Sequence, residues 1–173
     1  MSVMSSNKGK DGELRALILV AKIGQIIDNV DVTRPTTTNT ADQGADLFIT
    51  HPPEFLKELA EVAGGLLPLG KTLPTNKINQ QNYKSRVDVK TTDKKIQRDI
   101  VLKFISDCAF NPNCTGHILM GGANLTGPAT KTLEEAQSKF ASSNKTLLYI
   151  SNEGIKNLET HYQPQIEQND ENN

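Results

Sequence analysis

The chain reads as one α/β domain on a mixed central sheet, and three stretches predict it. The first is a strand, helix, strand unit. His117-Ile118-Leu119-Met120-Gly121 and Leu147-Leu148-Tyr149-Ile150 are apolar runs of strand length, and between them Ala129, Leu133, Ala136 and Phe140 recur at helical spacing. At that separation the two strands are expected to be parallel, with a right-handed crossover. The second is the segment 93–110, whose Ile96, Ile100, Val101, Phe104, Ile105, Cys108 and Ala109 mark one side of a helix that Asn111-Pro112 ends. The third is Ser85-Arg86-Val87-Asp88-Val89-Lys90-Thr91, a β-branched strand whose side chains alternate between two faces.

Residues 1–11 are rich in Ser, Lys and Gly and are expected to be disordered. Asp11 can cap a helix over 12–29, with Leu14, Leu17, Ile18, Ala21, Ile26 and Ile27 as its apolar face. Glu13 falls in its first turn, where it can offset the helix dipole or support a metal site. The Thr-rich stretch 31–40 reads as an extended connection. Ala41 to Thr50 is a turn feeding an apolar strand, with Gly44 and Asp46 at its mouth. His51-Pro52-Pro53 stops that strand, and His51 reads as a structural loop residue. A short helix over 54–63 presents Phe55, Leu56, Leu59 and Val62.

Gly65-Leu66-Leu67-Pro68-Leu69-Gly70-Lys71-Thr72 matches a phosphate-cradling loop letter for letter. That loop works only between a buried strand and a helix N-terminus. Here a helix precedes it and Pro74 follows, so it reads as a coincidental loop. After the strand 117–121, Pro128 opens the next helix as a favoured first-turn proline. A short helix over 152–162 and a polar, disordered tail over 163–173 complete the chain.

At 173 residues the chain suits one domain, and its formal charge of −1 gives no global sign of a polyanion partner. The charge is uneven. Between Lys71 and Lys103 nine basic residues face Asp88, Asp93 and Asp99, a local +6 that leaves −7 elsewhere. Such a band is what a nucleic acid would need, although a solvated surface would carry it as well. Cys108 and Cys114 lack the company of a four-ligand zinc site and are expected to be free thiols in a reducing cytoplasm. No apolar run has transmembrane length and the first residues are polar, so a cytosolic protein without a signal peptide is expected.

The third stretch carries chemistry as well as structure. Alternation puts Asp88 and Lys90 on one face and Val87 and Val89 on the other. A carboxylate able to hold a divalent metal beside an ammonium able to meet a phosphate points to phosphodiester hydrolysis. An acid-x-Lys triplet is weak evidence by itself. The chain has a second one, Asp93-Lys94-Lys95, without apolar flanks.

Gly44-Ala45-Asp46 opening one strand, Asp88-Val89-Lys90 ending another, and the downstream Ile118 to Ala129 segment together resemble the PD-(D/E)xK nuclease superfamily, and within it the Mrr-like branch. The resemblance spans roughly 13–155. It implies a restriction-endonuclease-like, three-layer α/β/α fold over 12–162 with an insertion at 51–84, longer than the connection usual in that branch. The acid before the lysine is Asp88, where relatives commonly have Glu or Gln. The resemblance further implies that Asp46 and Asp88 bind Mg2+ with the carbonyl of Val89, and that Lys90 orients water or stabilises the phosphorus centre. Glu13 sits where some relatives place an extra acidic ligand.

On that reading the chain is an endodeoxyribonuclease of restriction-enzyme type acting on double-stranded DNA. Symmetric cleavage of two antiparallel strands calls for a homodimer. Lys71, Lys77, Lys84, Arg86, Lys94, Lys95 and Arg98 are the candidate DNA contacts, with Asn79, Gln80, Gln81 and Asn82 available to read bases. The alternative is a catalytically inactive protein that keeps the fold as a nucleic-acid- or protein-binding module.

Overall fold

A computed structural model of the chain describes residues 8–35, 44–65 and 83–163. Among the described residues five strands form one sheet in the order β1 (Asp31–Thr33), β2 (Leu47–His51), β3 (Tyr83–Lys90), β4 (Gly116–Gly121) and β5 (Thr146–Ile150). β1, β2 and β3 are antiparallel neighbours, whereas β3, β4 and β5 run parallel, so the sheet is mixed. α1 (Lys8–Ile26), α2 (Phe55–Ala63) and α5 (Asn152–His161) cover one face. α3 (Arg98–Ser106) and α4 (Gly127–Ala141) cover the other.

Alternation along the strands supplies both cores. Leu47, Ile49, Val87, Ile118, Met120, Leu148 and Ile150 face α1, α2 and α5. Leu119, Leu147 and Tyr149 face α3 and α4, where they meet Phe104, Ala129 and Leu133. Parallel strands covered on both faces read as continuous apolar runs, which is why β4 and β5 are plain in the sequence.

Local chemistry fixes the helix ends. The Thr126 hydroxyl accepts from the Ala129 N–H, with Pro128 in the first turn of α4. The Ser151 hydroxyl does the same for Gly154 in α5. α2 ends at Gly64, whose φ of 67° lets its N–H return to the Ala60 carbonyl. β5 is the last strand of the sheet among the described residues. The carbonyl of Leu147, on its outer side, accepts from Nε2 of the buried Gln137 at 3.0 Å.

Several expected boundaries move. α1 begins at Lys8, so Lys8–Asp11 is helical rather than disordered, and Asp11 lies in its first turn instead of capping it. The connection after α1 contains a short edge strand, β1. α3 starts only at Arg98, because Ile96 is taken by a β-bridge to Leu125 and packs fully buried beneath it. After Ser106 the helix tightens into a 3-10 turn over Asp107–Phe110. His51 closes β2 rather than lying in a loop. Most of the expected insertion, the phosphate-loop-like stretch after Gly65, and the tail from residue 164 lie outside the described residues. Among the described residues no helix is long and apolar enough to cross a membrane.

Candidate active site

β3 is the strand both halves of the sheet share, and it carries Arg86, Asp88 and Lys90 on the face toward α3 and α4. Val87 and Val89 pack on the opposite side with α1. Asp88 is almost fully buried and its Oδ1 meets Lys90 Nζ at 3.1 Å, while about a third of the Lys90 side chain remains exposed. Burial is the main influence on Asp88 and raises its carboxyl above the usual range. Lys90 opposes that shift, the neighbouring Asp46 carboxylate adds to it, and Arg86 opposes it.

Asp46 stands immediately before β2 and is tied to β3 on both sides of Asp88. Its backbone N–H donates to the Val87 carbonyl at 2.8 Å, and its Oδ2 accepts from the Val89 N–H at 2.7 Å. Asp46 from one segment therefore joins Asp88 and Lys90 of another at the end of β3. Since the N–H and carbonyl of one strand residue point to the same edge, the Val89 carbonyl also lies toward β2. Gly121 of β4 keeps this corner tight. Its φ is 126°, and a Cβ there would fall 1.9 Å from the Lys90 carbonyl oxygen.

Arg86 overturns its expected role as a DNA contact. It is fully buried and offers no surface to a partner. Its guanidinium donates through Nε to His117 Nδ1 at 2.7 Å, through Nη1 to the Gly44 carbonyl at 2.8 Å, and through Nη2 to the Phe104 carbonyl and Cys108 Sγ. It also lies 4.5 Å from the centre of the Phe104 ring. The physical reason is reach: Arg86 points into the α3 side, where those carbonyls and that ring take up its donors and its charge. By holding Gly44 it anchors the turn from which Asp46 projects. Gly44 is itself at φ 72°, and a Cβ there would lie 2.4 Å from Asp107 Oδ2.

His117 accepts from Arg86 at Nδ1, so its proton sits on Nε2, which is buried without a partner among the described residues. Burial chiefly, with help from Arg86, pushes its pKa down to about 3. His51 is likewise buried, its ring nitrogens 2.8 Å from the Pro52 carbonyl and 2.7 Å from Ser85 Oγ, and burial lowers its pKa. Cys108 and Cys114 are free, buried thiols whose pKa values burial raises.

The remaining expected residues divide. Lys84, Lys94, Lys95 and Arg98 are exposed; Lys84 sits 4.3 Å above the Phe48 ring, and Arg98 donates to Thr132. Lys71 and Lys77 lie outside the described residues. Glu13 is half-buried on α1 and does not join the two aspartates. Among the described residues no group of three or more His, Cys, Asp or Glu side chains is gathered to hold a metal ion. Sequence reasoning missed the Arg86, His117 and Cys108 cluster. Its one local signal was an arginine placed in phase with Asp88 and Lys90 inside a β-branched strand. In comparisons with known proteins, no family model and no curated protein matches the chain.

Proposed function

We propose that the chain is a magnesium-dependent endonuclease of restriction-enzyme type that hydrolyses phosphodiester bonds of double-stranded DNA as a homodimer. The observation that carries this reading is the double tie of Asp46 to β3 on either side of Asp88, whose carboxylate pairs with Lys90. Three antiparallel strands followed by a parallel partner of β3 fit a restriction-endonuclease-like core of the PD-(D/E)xK superfamily, Mrr-like branch. The exposed Lys84, Lys94, Lys95 and Arg98 give a duplex backbone cations to meet.

The donor set suits Mg2+, which takes hard oxygen ligands. Burial and the Asp46 charge both disfavour an ionised Asp88, and a divalent cation would relieve both. When bound, the ion would lower the pKa of a coordinated water and offset charge developing on phosphate. Asp46 and Asp88 would hold it, with Val89 N–H fixing the Asp46 carboxylate. Lys90, partly exposed, would swing its ammonium away from Asp88 Oδ1 to pair with the phosphate.

Plasmid cleavage with and without Mg2+ tests this. The wild type should nick or cut only with the metal, and Asp88→Ala and Lys90→Ala, each verified as folded, should lose about 10²-fold or more of the rate. A second reading draws on the closed Asp88–Lys90 ion pair: a non-catalytic nucleic-acid-binding module. DNA binding that persists while no divalent metal supports cleavage would select it.

A further inference from the structure

Behind β3, on the face away from Asp88, lies a cavity of about 370 Å³ between α1 and the first turn of α5. It opens at the carboxyl ends of all three parallel strands: Thr91 and Thr92 follow β3, Ala123 follows β4 and Asn152 follows β5. In open α/β sheets that is where ligands are bound. The size is at the small end of ligand pockets, about 300–1,000 Å³, and suits one compact molecule rather than a peptide or duplex.

The lining is divided by chemistry. Ala16, Met120 and Ile155 form an apolar floor, and Val89 borders it. Thr91 and Asn152 supply polar groups. Asn152 Nδ2 is committed to the Thr92 carbonyl at 2.8 Å, which leaves its amide oxygen as an acceptor. Lys8, Arg15 and Lys156 bring positive charge from α1 and α5, against Asp93 and Glu153. Arg15 is occupied by Glu159, whereas Lys8 and Lys156 form no salt bridge among the described residues. Gly12 lets α1 close over the β3 exit, since a Cβ there would lie 2.3 Å from Thr91 Oγ1.

An apolar floor, hydrogen-bonding walls and two rim lysines outside any salt bridge among the described residues call for a ligand with an apolar ring at one end and an anion at the other. We propose that this cavity binds a nucleoside monophosphate, its base on Ala16, Met120 and Ile155 and its phosphate at Lys8 and Lys156. Lys90 borders both this cavity and the Asp88 carboxylate, so the nucleotide would stand directly behind the strand that carries the candidate chemistry. The choice of a nucleotide over another phosphorylated ring compound rests on the nuclease reading. The size, charge and placement rest on the cavity alone.

The test is calorimetric titration in EDTA, where no cleavage can occur, with the four 2′-deoxynucleoside 5′-monophosphates as probes. Inorganic phosphate, unphosphorylated nucleosides and a short 5′-phosphorylated single strand are titrated beside them. The monophosphates should bind saturably and more tightly than phosphate or nucleoside alone. Lys8→Glu and Lys156→Glu, both exposed and expected to fold, should each weaken binding about tenfold or more. Saturable binding in EDTA by a protein that fails to cut DNA with Mg2+ would leave this site standing without the nuclease reading, which keeps the two separable. Competition by the single strand would identify a strand terminus as the source; binding of free monophosphate alone would identify a soluble nucleotide. No saturation at millimolar concentration, equal binding of inorganic phosphate, or indifference to both charge reversals would overturn the proposal.

Discussion

The two halves of the sheet solve burial differently. In the parallel half, β4 is buried at every position and β5 at four of five, because helices cover both faces. In the antiparallel half, β2 alternates buried and half-buried residues, and Phe48 and Thr50 are only partly covered. β3 belongs to both. Its middle is as buried as β4, while its end reaches the open side, so Asp88 can be desolvated while Lys90 stays one-third exposed. A strand wholly within either half would give a carboxylate burial or access, and the boundary gives both.

Arg86 gives the largest test of that contrast, because a buried cation should matter far more than an exposed one on the same strand. Arg86→Met is expected to cost about 3–5 kcal/mol by removing the buried donors that meet the carbonyls of Gly44 and Phe104 and Nδ1 of His117. Lys84→Met should stay within about 0.5 kcal/mol. Urea unfolding compares them directly, and equal midpoints would break the distinction. Core truncation comes next. Leu148→Ala, in the doubly covered half, should cost about 2–5 kcal/mol, and Thr50→Ala, in the open half, under about 1.

A smaller effect is expected from pH. His117 titrates at about 3 when folded and near its ordinary value when unfolded. Its folded pKa is depressed, so the stability it contributes is present above about pH 6.5 and is lost as pH falls toward 3. Unfolding free energies at pH 7 and 5 should differ more for the wild type than for His117→Gln, by up to about 1.4 kcal/mol per pH unit. Parallel curves for the two proteins would show that the ring is not held neutral.

The smallest effect has the opposite sign. Burial holds the Asp88 carboxyl above its usual range, so charging it opposes folding. Asp88→Asn in EDTA should therefore stabilise the protein slightly and raise its Tm. A lower Tm would mean that the Lys90 ion pair outweighs desolvation.

The same division governs what was legible in the sequence. The parallel half was readable because Ile118 to Met120 and Leu147 to Ile150 are unbroken apolar runs, with Leu133 and Ala136 in helical phase between them. The start of α3 was not. Ile96 fits the helical period equally well, and only its bridge to the distant Leu125 removes it from the helix. β1 was hidden because three residues of a Thr-rich connection carry no period.

For the candidate site, alternation put Arg86, Asp88 and Lys90 in one row, and the structure shows Asp88 in contact with Lys90. Alternation could not say that the row passes from core to surface within five residues. Arg86 was therefore counted with the exposed bases, since its partners Gly44, Phe104 and His117 lie far away in sequence. Asp46 entered through family resemblance, and its two bonds to β3 depend on a register that no local pattern encodes.

Gln137 has a consequence for behaviour in concentrated solution. Among the described residues no strand pairs with the outer rim of β5, and an unpaired edge can template aggregation. By occupying the Leu147 carbonyl, one buried amide withdraws an acceptor at that rim. A side chain buried away from the candidate site thus bears on colloidal solubility, a property of many molecules.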